Sequence, residues 1–411
     1  MPSSQLDVPS WVTLPRYGSA ALASVLPAAA RRLGLDLGGT GERSASDDGW
    51  LPAELGPDGS GPGGSGTSRS LTEAGSRTRG IVLVLADGLG LTNLRAKSGY
   101  APFLGAWECQ RCLSGFPSTT VVSLGSFGTG LAPGQTALAG YSLRDPRNGQ
   151  RASLIRWDGA STKPDVWQPH WTLFEQMEAL GHPAVFVGEP RFAGSAMTRA
   201  ALRGAHFISG GMTAATKVTA TLRAARASDR LIYLYWGELD RIGHARGWES
   251  EAWAVALEEL DSSLRQIAKG LPPGWEVWLT ADHGMVDVTG GPRWEVSEHP
   301  VLAQDVDLIA GEPRALHLYT ARPEAVADRW RGFFGPQAWV LTRPEAARAG
   351  LFGPIDQRVQ PYLGDVVVAL AGHGIVLDTA GQGPGPGQMV GHHGSLTETE
   401  MAIPLARWRA S

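Results

Sequence analysis

The stretch RLIYLYWGELDRIGHARG (230–247) opens on an apolar run, RLIYLYW (230–236), and then delivers Asp240 and, four residues further on, His244. Unbroken aliphatic and aromatic runs of this length read as strands buried on both faces, as in a parallel sheet covered by helices. An acid placed just past such a strand, with an imidazole beyond it, has two readings. It is a salt-bridged loop, or it is half of a metal site whose other ligands come from elsewhere in the chain.

The same pattern recurs. GIVLVLA (80–86), PAVFVG (183–188) and EVWLTA (276–281) are further candidate strands, and 170–180, 213–226 and 249–268 are candidate amphipathic helices between them. Strands alternating with helices predict an α/β core over 80–294 with a mostly parallel central sheet flanked by helices. The segment 295–380 has short elements of its own: RALHLYT (314–320), a helix near 322–333, AWVLT (338–342) and DVVVALA (365–371). It lies between two motif-bearing regions, so it reads as a small α+β cap inserted into the core, to which 381–411 returns. At the other end, GSAALASVLPAAARRLG (18–34) predicts a short helix, within a segment 1–38 packed on the core. The Gly/Ser-rich 39–79 reads as a flexible linker or loop.

Bulk properties exclude several classes. The chain has 411 residues, is 43% hydrophobic and 18% charged, and carries a net charge of −4, with no basic stripe of the kind nucleic acid needs. No run of 18 apolar residues occurs, nor a basic segment followed by an apolar one at the start, so a cytoplasmic protein without a membrane segment is expected. The two cysteines, Cys109 and Cys112 in CQRC, read as small apolar residues around a strand. Composition is silent on oligomeric state, and an acidic small-molecule substrate fits the charge balance if positive charge comes from bound metal rather than from side chains.

The acids decide the chemistry. Asp87 ends the run IVLVLADGLG, Asp282 ends VWLTADHGM with His283 beside it, and Asp240 follows its own strand. Ligands of open α/β sheets bind beyond the carboxyl ends of the strands. Singly, each acid also reads as a turn or helix cap. Together they form a cluster of like charge that is costly without a cation. His244, His283 and one of His392 and His393 in GHHG supply imidazoles, and mixed Asp/His ligation suits zinc first, then manganese or iron. The hydroxyls of FPSTT, Ser118, Thr119 and Thr120, stand where a helix begins, a place suited to a phosphate. They read as N-caps or as a source of a nucleophile.

In their order, LADGLG, FPSTT, ELDRIGH, TADHGM and HHGS resemble the type I phosphodiesterase/nucleotide pyrophosphatase branch of the alkaline phosphatase superfamily, over about 80–300 and 385–405. The resemblance implies an alkaline-phosphatase-like fold and two divalent metal ions. One would be held by Asp87, Thr120, Asp282 and His283, the other by Asp240, His244 and His393, because the family's ligand is the His directly before Gly. It implies hydrolysis of phosphodiester or pyrophosphate bonds through a covalent phospho-threonine at Thr120, the residue at the nucleophile's spacing from Pro117. Substrate contacts would come from Thr119 and from Tyr141. The latter stands nearest to where the family has an Asn; the family's Pro-Asn after the nucleophile is here Val122-Ser123. These departures bear on substrate preference. A phosphomonoester or phosphonate hydrolase, similar to phosphonoacetate hydrolase, is the main rival; Arg144, Arg147 or Lys163 would supply the basic group it needs. A non-catalytic metal-stabilised binding protein would lack a ligand or the nucleophile, and none is missing.

Overall fold

The computed structural model describes residues 6–18, 20–37, 78–227 and 231–409. All but the end of the expected 39–79 linker therefore lies outside the described residues. The apolar runs form the strands β1 (Gly80–Ala86), β2 (Glu108–Leu113), β3 (Val185–Gly188), β4 (His206–Ser209), β5 (Leu231–Trp236) and β6 (Trp275–Thr280). A second set follows as β7 (Leu308–Glu312), β8 (Ala315–Tyr319), β9 (Ala338–Thr342) and β10 (Val366–Leu370), and the chain closes with β11 (Ala402–Arg409).

The main sheet has the order β2-β11-β6-β1-β5-β3-β4. β6, β1, β5, β3 and β4 run parallel, while β11 is antiparallel to both of its neighbours. The register pairs Leu85 of β1 with Thr280 of β6 and with Tyr235 of β5, so these three central strands end side by side. Their side chains are almost wholly buried, which is why the runs lack alternation.

The principal helices are α1 (Val25–Arg32), α2 (Thr120–Thr129), α3 (Leu173–Ala179), α4 (Ala214–Arg226), α5 (Glu238–Arg246), α6 (Glu251–Gly270) and α7 (Pro323–Phe334). Capping chemistry sets their starts. The Thr172 hydroxyl accepts from the Glu175 N–H at 3.0 Å while the Glu175 carboxylate accepts from the Thr172 N–H at 2.8 Å, so α3 begins later than apolar periodicity alone suggests. Ser250 caps α6 by accepting the Trp253 N–H. On α6, Trp253, Leu257, Leu260, Leu264 and Ile267 recur at helical spacing and are buried. Each such side chain contributes roughly 1.5–3 kcal/mol. Val25, Leu26 and Ala28–30 of α1 are buried in the same core.

The second sheet is antiparallel, in the order β7-β8-β10-β9. Its residues alternate between two neighbours. Leu316, Leu318, Val340, Val366 and Val368 pack with Val326, Trp330 and Phe334 of α7. Ala315, Trp339, Leu341, Val367 and Ala369 join the main core. The sheet is thus a buried layer between α7 and the core.

Candidate metal centre

Asp87 follows β1 directly, and Asp282 and His283 follow β6 after one alanine; all three are buried. α5 starts just beyond β5 and carries Asp240 and His244 one turn apart, on one face. His393 arrives from the opposite direction. The two-residue strand Gly391–His392 pairs antiparallel with Val286–Asp287, just past β6, and the His393 ring stacks on His283 with centroids 3.6 Å apart.

These side chains fall into two triads, Asp87/Asp282/His283 and Asp240/His244/His393, and within each triad the potential ligand atoms all lie within 4.8 Å of one another. His283 Nε2 is 3.4 Å from Asp87 Oδ1 and from Asp282 Oδ2. In the other triad, Asp240 Oδ1 is 3.2 Å from His244 Nε2 and 3.8 Å from His393 Nε2.

Every imidazole is held from behind. Nδ1 of His244 faces Gly391 O at 2.8 Å, Nδ1 of His283 faces Gly284 O at 3.1 Å, and Nδ1 of His393 faces Ser118 O at 2.9 Å. A carbonyl only accepts, so each Nδ1 carries the proton and each Nε2 turns a lone pair toward the carboxylates. The carboxylates are oriented likewise. Asp282 Oδ1 takes the N–H groups of Gly88 and His283, and Asp87 Oδ2 takes the Tyr235 hydroxyl. What is left over, Asp87 Oδ1, Asp240 Oδ1 and Asp282 Oδ2, is buried without a hydrogen-bond partner. Burial first, then the charges of Asp282 and Asp240, push the Asp87 carboxyl well above its usual range, against the Tyr235 hydrogen bond. Burial, then His283 and His244, pull His393 well below the usual imidazole range. Lone pairs converging on lone pairs, with no donor between them, are the donor set a divalent cation takes.

Thr120 is the first residue of α2, and its Oγ1 is 3.3 Å from His283 Nε2. Ser118 is occupied: its hydroxyl donates to Ser395 O and its N–H to Gly394 O. The Thr119 side chain lies beside Glu312. Ser123 donates to Asp282 O at 2.8 Å, tying α2 to the end of β6.

Thr119, Thr120 and Tyr141 line one cavity of about 320 Å³, with Asp87, Asp240, His244 and His393. His392 lines it too, outside both triads. A smaller apolar pocket of about 220 Å³ adjoins at Thr120, walled by Leu124, Phe192, Met197 and Tyr235. Neither cavity is lined by Arg144, Arg147 or Lys163, and Arg144 instead covers the Tyr319 ring. The basic residue in the walls of both is Arg191, which the sequence did not single out, nor Glu312 and Tyr235. Trp236, the last residue of β5, and Trp253, in the first turn of α6, are core residues.

A family model, type I phosphodiesterase / nucleotide pyrophosphatase, matches residues 81–396. The chain belongs to this family. Among solved structures, murine ectonucleotide pyrophosphatase/phosphodiesterase 5, an inactive threonine-to-alanine variant in complex with AMP, superposes with a TM-score of 0.64 at 16% identity, over 80% of this chain and 87% of that one. The phosphonoacetate hydrolase of Sinorhizobium meliloti 1021, in complex with phosphonoformate, gives 0.61 at 18% identity, over 81% and 90%. At such identities the likeness is one of fold, the alkaline-phosphatase type with a large, mostly parallel sheet flanked by helices. No curated protein matches the phosphodiesterase-family chain described here.

Proposed function

We propose that the protein hydrolyses phosphodiester or pyrophosphate bonds through a covalent phospho-threonine at Thr120, with two divalent metal ions. Asp87, Asp282, His283 and the Thr120 hydroxyl would hold one ion, and Asp240, His244 and His393 the other, with zinc the first choice for this donor set. The observation that carries the reading is the set of partnerless carboxylate oxygens and outward Nε2 lone pairs beside a threonine at a helix start. When bound, the ions would supply Lewis-acid charge that activates a hydroxyl or water and offsets charge at phosphorus.

The chain's own part is positioning. α2 presents Thr120 Oγ to phosphorus and its free N–H groups to a non-bridging oxygen. Oγ attacks phosphorus as the alcohol or phosphate leaves, and water then cleaves the ester and restores the hydroxyl. Thr119 and Tyr141 stand in the wall as substrate contacts. The apolar pocket next to Thr120 has room for an organic substituent, which favours a diester over a small phosphonate. Placement in the cytoplasm is part of the proposal. No described helix is long and apolar enough to cross a membrane.

The test is a paired assay of metal-loaded protein on bis(p-nitrophenyl) phosphate and p-nitrophenyl phosphate. Diester preference is expected, abolished by EDTA. Thr120→Ala should lower kcat by at least about three orders of magnitude with the fold retained. Near-normal turnover in that variant would sink the covalent mechanism, and monoester preference would sink the diester reading.

A further inference from the structure

Glu312 is a buried carboxylate in the cavity wall that neither triad uses. It ends β7, and the hairpin behind it is fixed. Gly311 has a φ of +94°, and a side chain there would strike the opposite strand at Ala315. Arg314, fully buried, anchors the turn through both oxygens of Glu400. On its other side Glu312 lies against the turn after His393, where a Cβ on Gly394 would come within 2.8 Å of Glu312 Cγ. The side chain therefore has little freedom to swing away.

Its oxygens are unequal. Thr119, the residue before Thr120, has its side chain beside the carboxylate. Oε2 lies 3.9 Å from His393 Nδ1, a nitrogen whose proton is already given to Ser118 O. Oε1 is buried and has no hydrogen-bond partner. The partnerless aspartate oxygens around the site belong to the two triads, where a cation would account for them. Glu312 Oε1 needs a partner from elsewhere, and the residue stands in the wall of the cavity that Thr120 lines.

We propose that Glu312 is a specificity residue: its Oε1 accepts a hydrogen bond from a hydroxyl or ammonium group carried by the alcohol of the phosphodiester, and it turns away substrates with a second anionic group at that place. The inference rests on the diester reading above and names its substrate class. A donor satisfies a buried acceptor that is otherwise left unpaired, whereas a substrate carboxylate brings only a second acceptor to the same place. Arg191, the cation of the cavity wall, is itself held by Glu189 at 2.9 Å.

The test uses four p-nitrophenyl phosphodiesters whose second alcohol is propyl, 3-hydroxypropyl, 3-aminopropyl or 2-carboxyethyl. Metal-loaded wild type is compared with Glu312→Gln, and with Glu312→Asp should the amide variant fail to fold. The hydroxypropyl or aminopropyl ester should exceed the propyl ester in kcat/KM by about tenfold to a hundredfold, the size of a hydrogen bond to a charged group. Whichever is larger identifies the donor. The carboxyethyl ester should fall below the propyl ester, and the substitution should compress both ratios. Wild-type ratios within about threefold of unity, or ratios the substitution leaves alone, would overturn the assignment. So would a parallel loss on all four esters, or loss of a bound ion by elemental analysis, which would make Glu312 part of the metal centre. An enzyme inactive on all four esters refutes the diester reading instead. Glu312 is then judged by calorimetry of 3-aminopropylphosphonate against 2-carboxyethylphosphonate, where equal affinities in wild type and variant reject it.

Discussion

At the scale of single residues, the direction in which each imidazole turns its lone pair shapes the site. His244, His283 and His393 all spend Nδ1 on backbone carbonyls, and this leaves Nε2 as the nitrogen able to take a metal. Asp240 Oδ1 faces two of the three Nε2 atoms. Asp240→Asn keeps the size of the side chain and removes its charge, so it should cost one ion and leave the other. Elemental analysis after zinc loading should fall from about two ions per chain to about one, with circular dichroism unchanged. Two ions retained would remove Asp240 from the ligand set. Asp87, Asp240 and Asp282 are legible in the sequence because each stands just past an apolar run, where a sheet edge must lie. Glu312 was not. It closes LIAGE as any exposed strand-end acid would, and only the Gly394 turn and the Arg314 anchor place it inside. Tyr235 stayed hidden for a related reason. Within LIYLYW it reads as core, and only the pairing of β5 with β1 brings its hydroxyl to Asp87.

At the scale of elements, adjacency does the gathering. β6, β1 and β5 are neighbours with matched ends, so three acids that lie far apart in sequence share one edge. The strand runs themselves were legible; the order of the strands was not, because continuous apolar runs carry no label for their neighbours. DVVVALA hides the antiparallel character of β10 in the same way, since both of its faces are buried. β8 shows how the second sheet is fastened. His317 is fully buried, Nε2 giving its proton to Ala139 O at 2.9 Å and Nδ1 accepting the Gly364 N–H at 3.0 Å. Burial outweighs the Ala139 bond and pulls this imidazole down to about 4. The folded state therefore binds the proton less readily than the unfolded one, where the ordinary value is 6.5. Its stabilising effect is complete above that value and is lost as pH falls from about 6.5 toward about 4, by an amount on the order of 3 kcal/mol. Tm of the metal-free protein should drop across this window, and His317→Gln should flatten the part of the drop due to this residue. An unchanged profile in the variant would show that protonation here is not linked to unfolding.

At the scale of the whole molecule, two chain segments far apart in sequence must be held in one register for the site to exist. β1 to β6 supply Asp87, Asp240, Asp282 and their neighbours, and His393 comes back only after the second sheet has been built. Arg314 joins that second sheet to the returning chain. Its Nε donates to Glu400 Oε1 at 2.7 Å and Nη2 to Oε2 at 2.9 Å, while its remaining donors reach Gly374 O and Leu370 O. Glu400 in turn accepts the Ser395 N–H at 3.0 Å and the Thr397 hydroxyl at 2.5 Å, two and four residues past His393. Both charges are fully buried, so removing one strands the other. Arg314→Met should lower unfolding stability by about 3–5 kcal/mol in urea titrations, whereas Arg314→Met with Glu400→Leu should recover much of that loss by burying no charge at all. Zinc affinity should separate the two roles. The double variant still lacks the acceptor that orders Ser395, so affinity at the Asp240/His244/His393 triad should remain weakened even where stability returns. Recovery of both together would mean that the pair contributes only to stability, and a single variant within about 1 kcal/mol of wild type would mean that it does not join the second sheet to the returning chain.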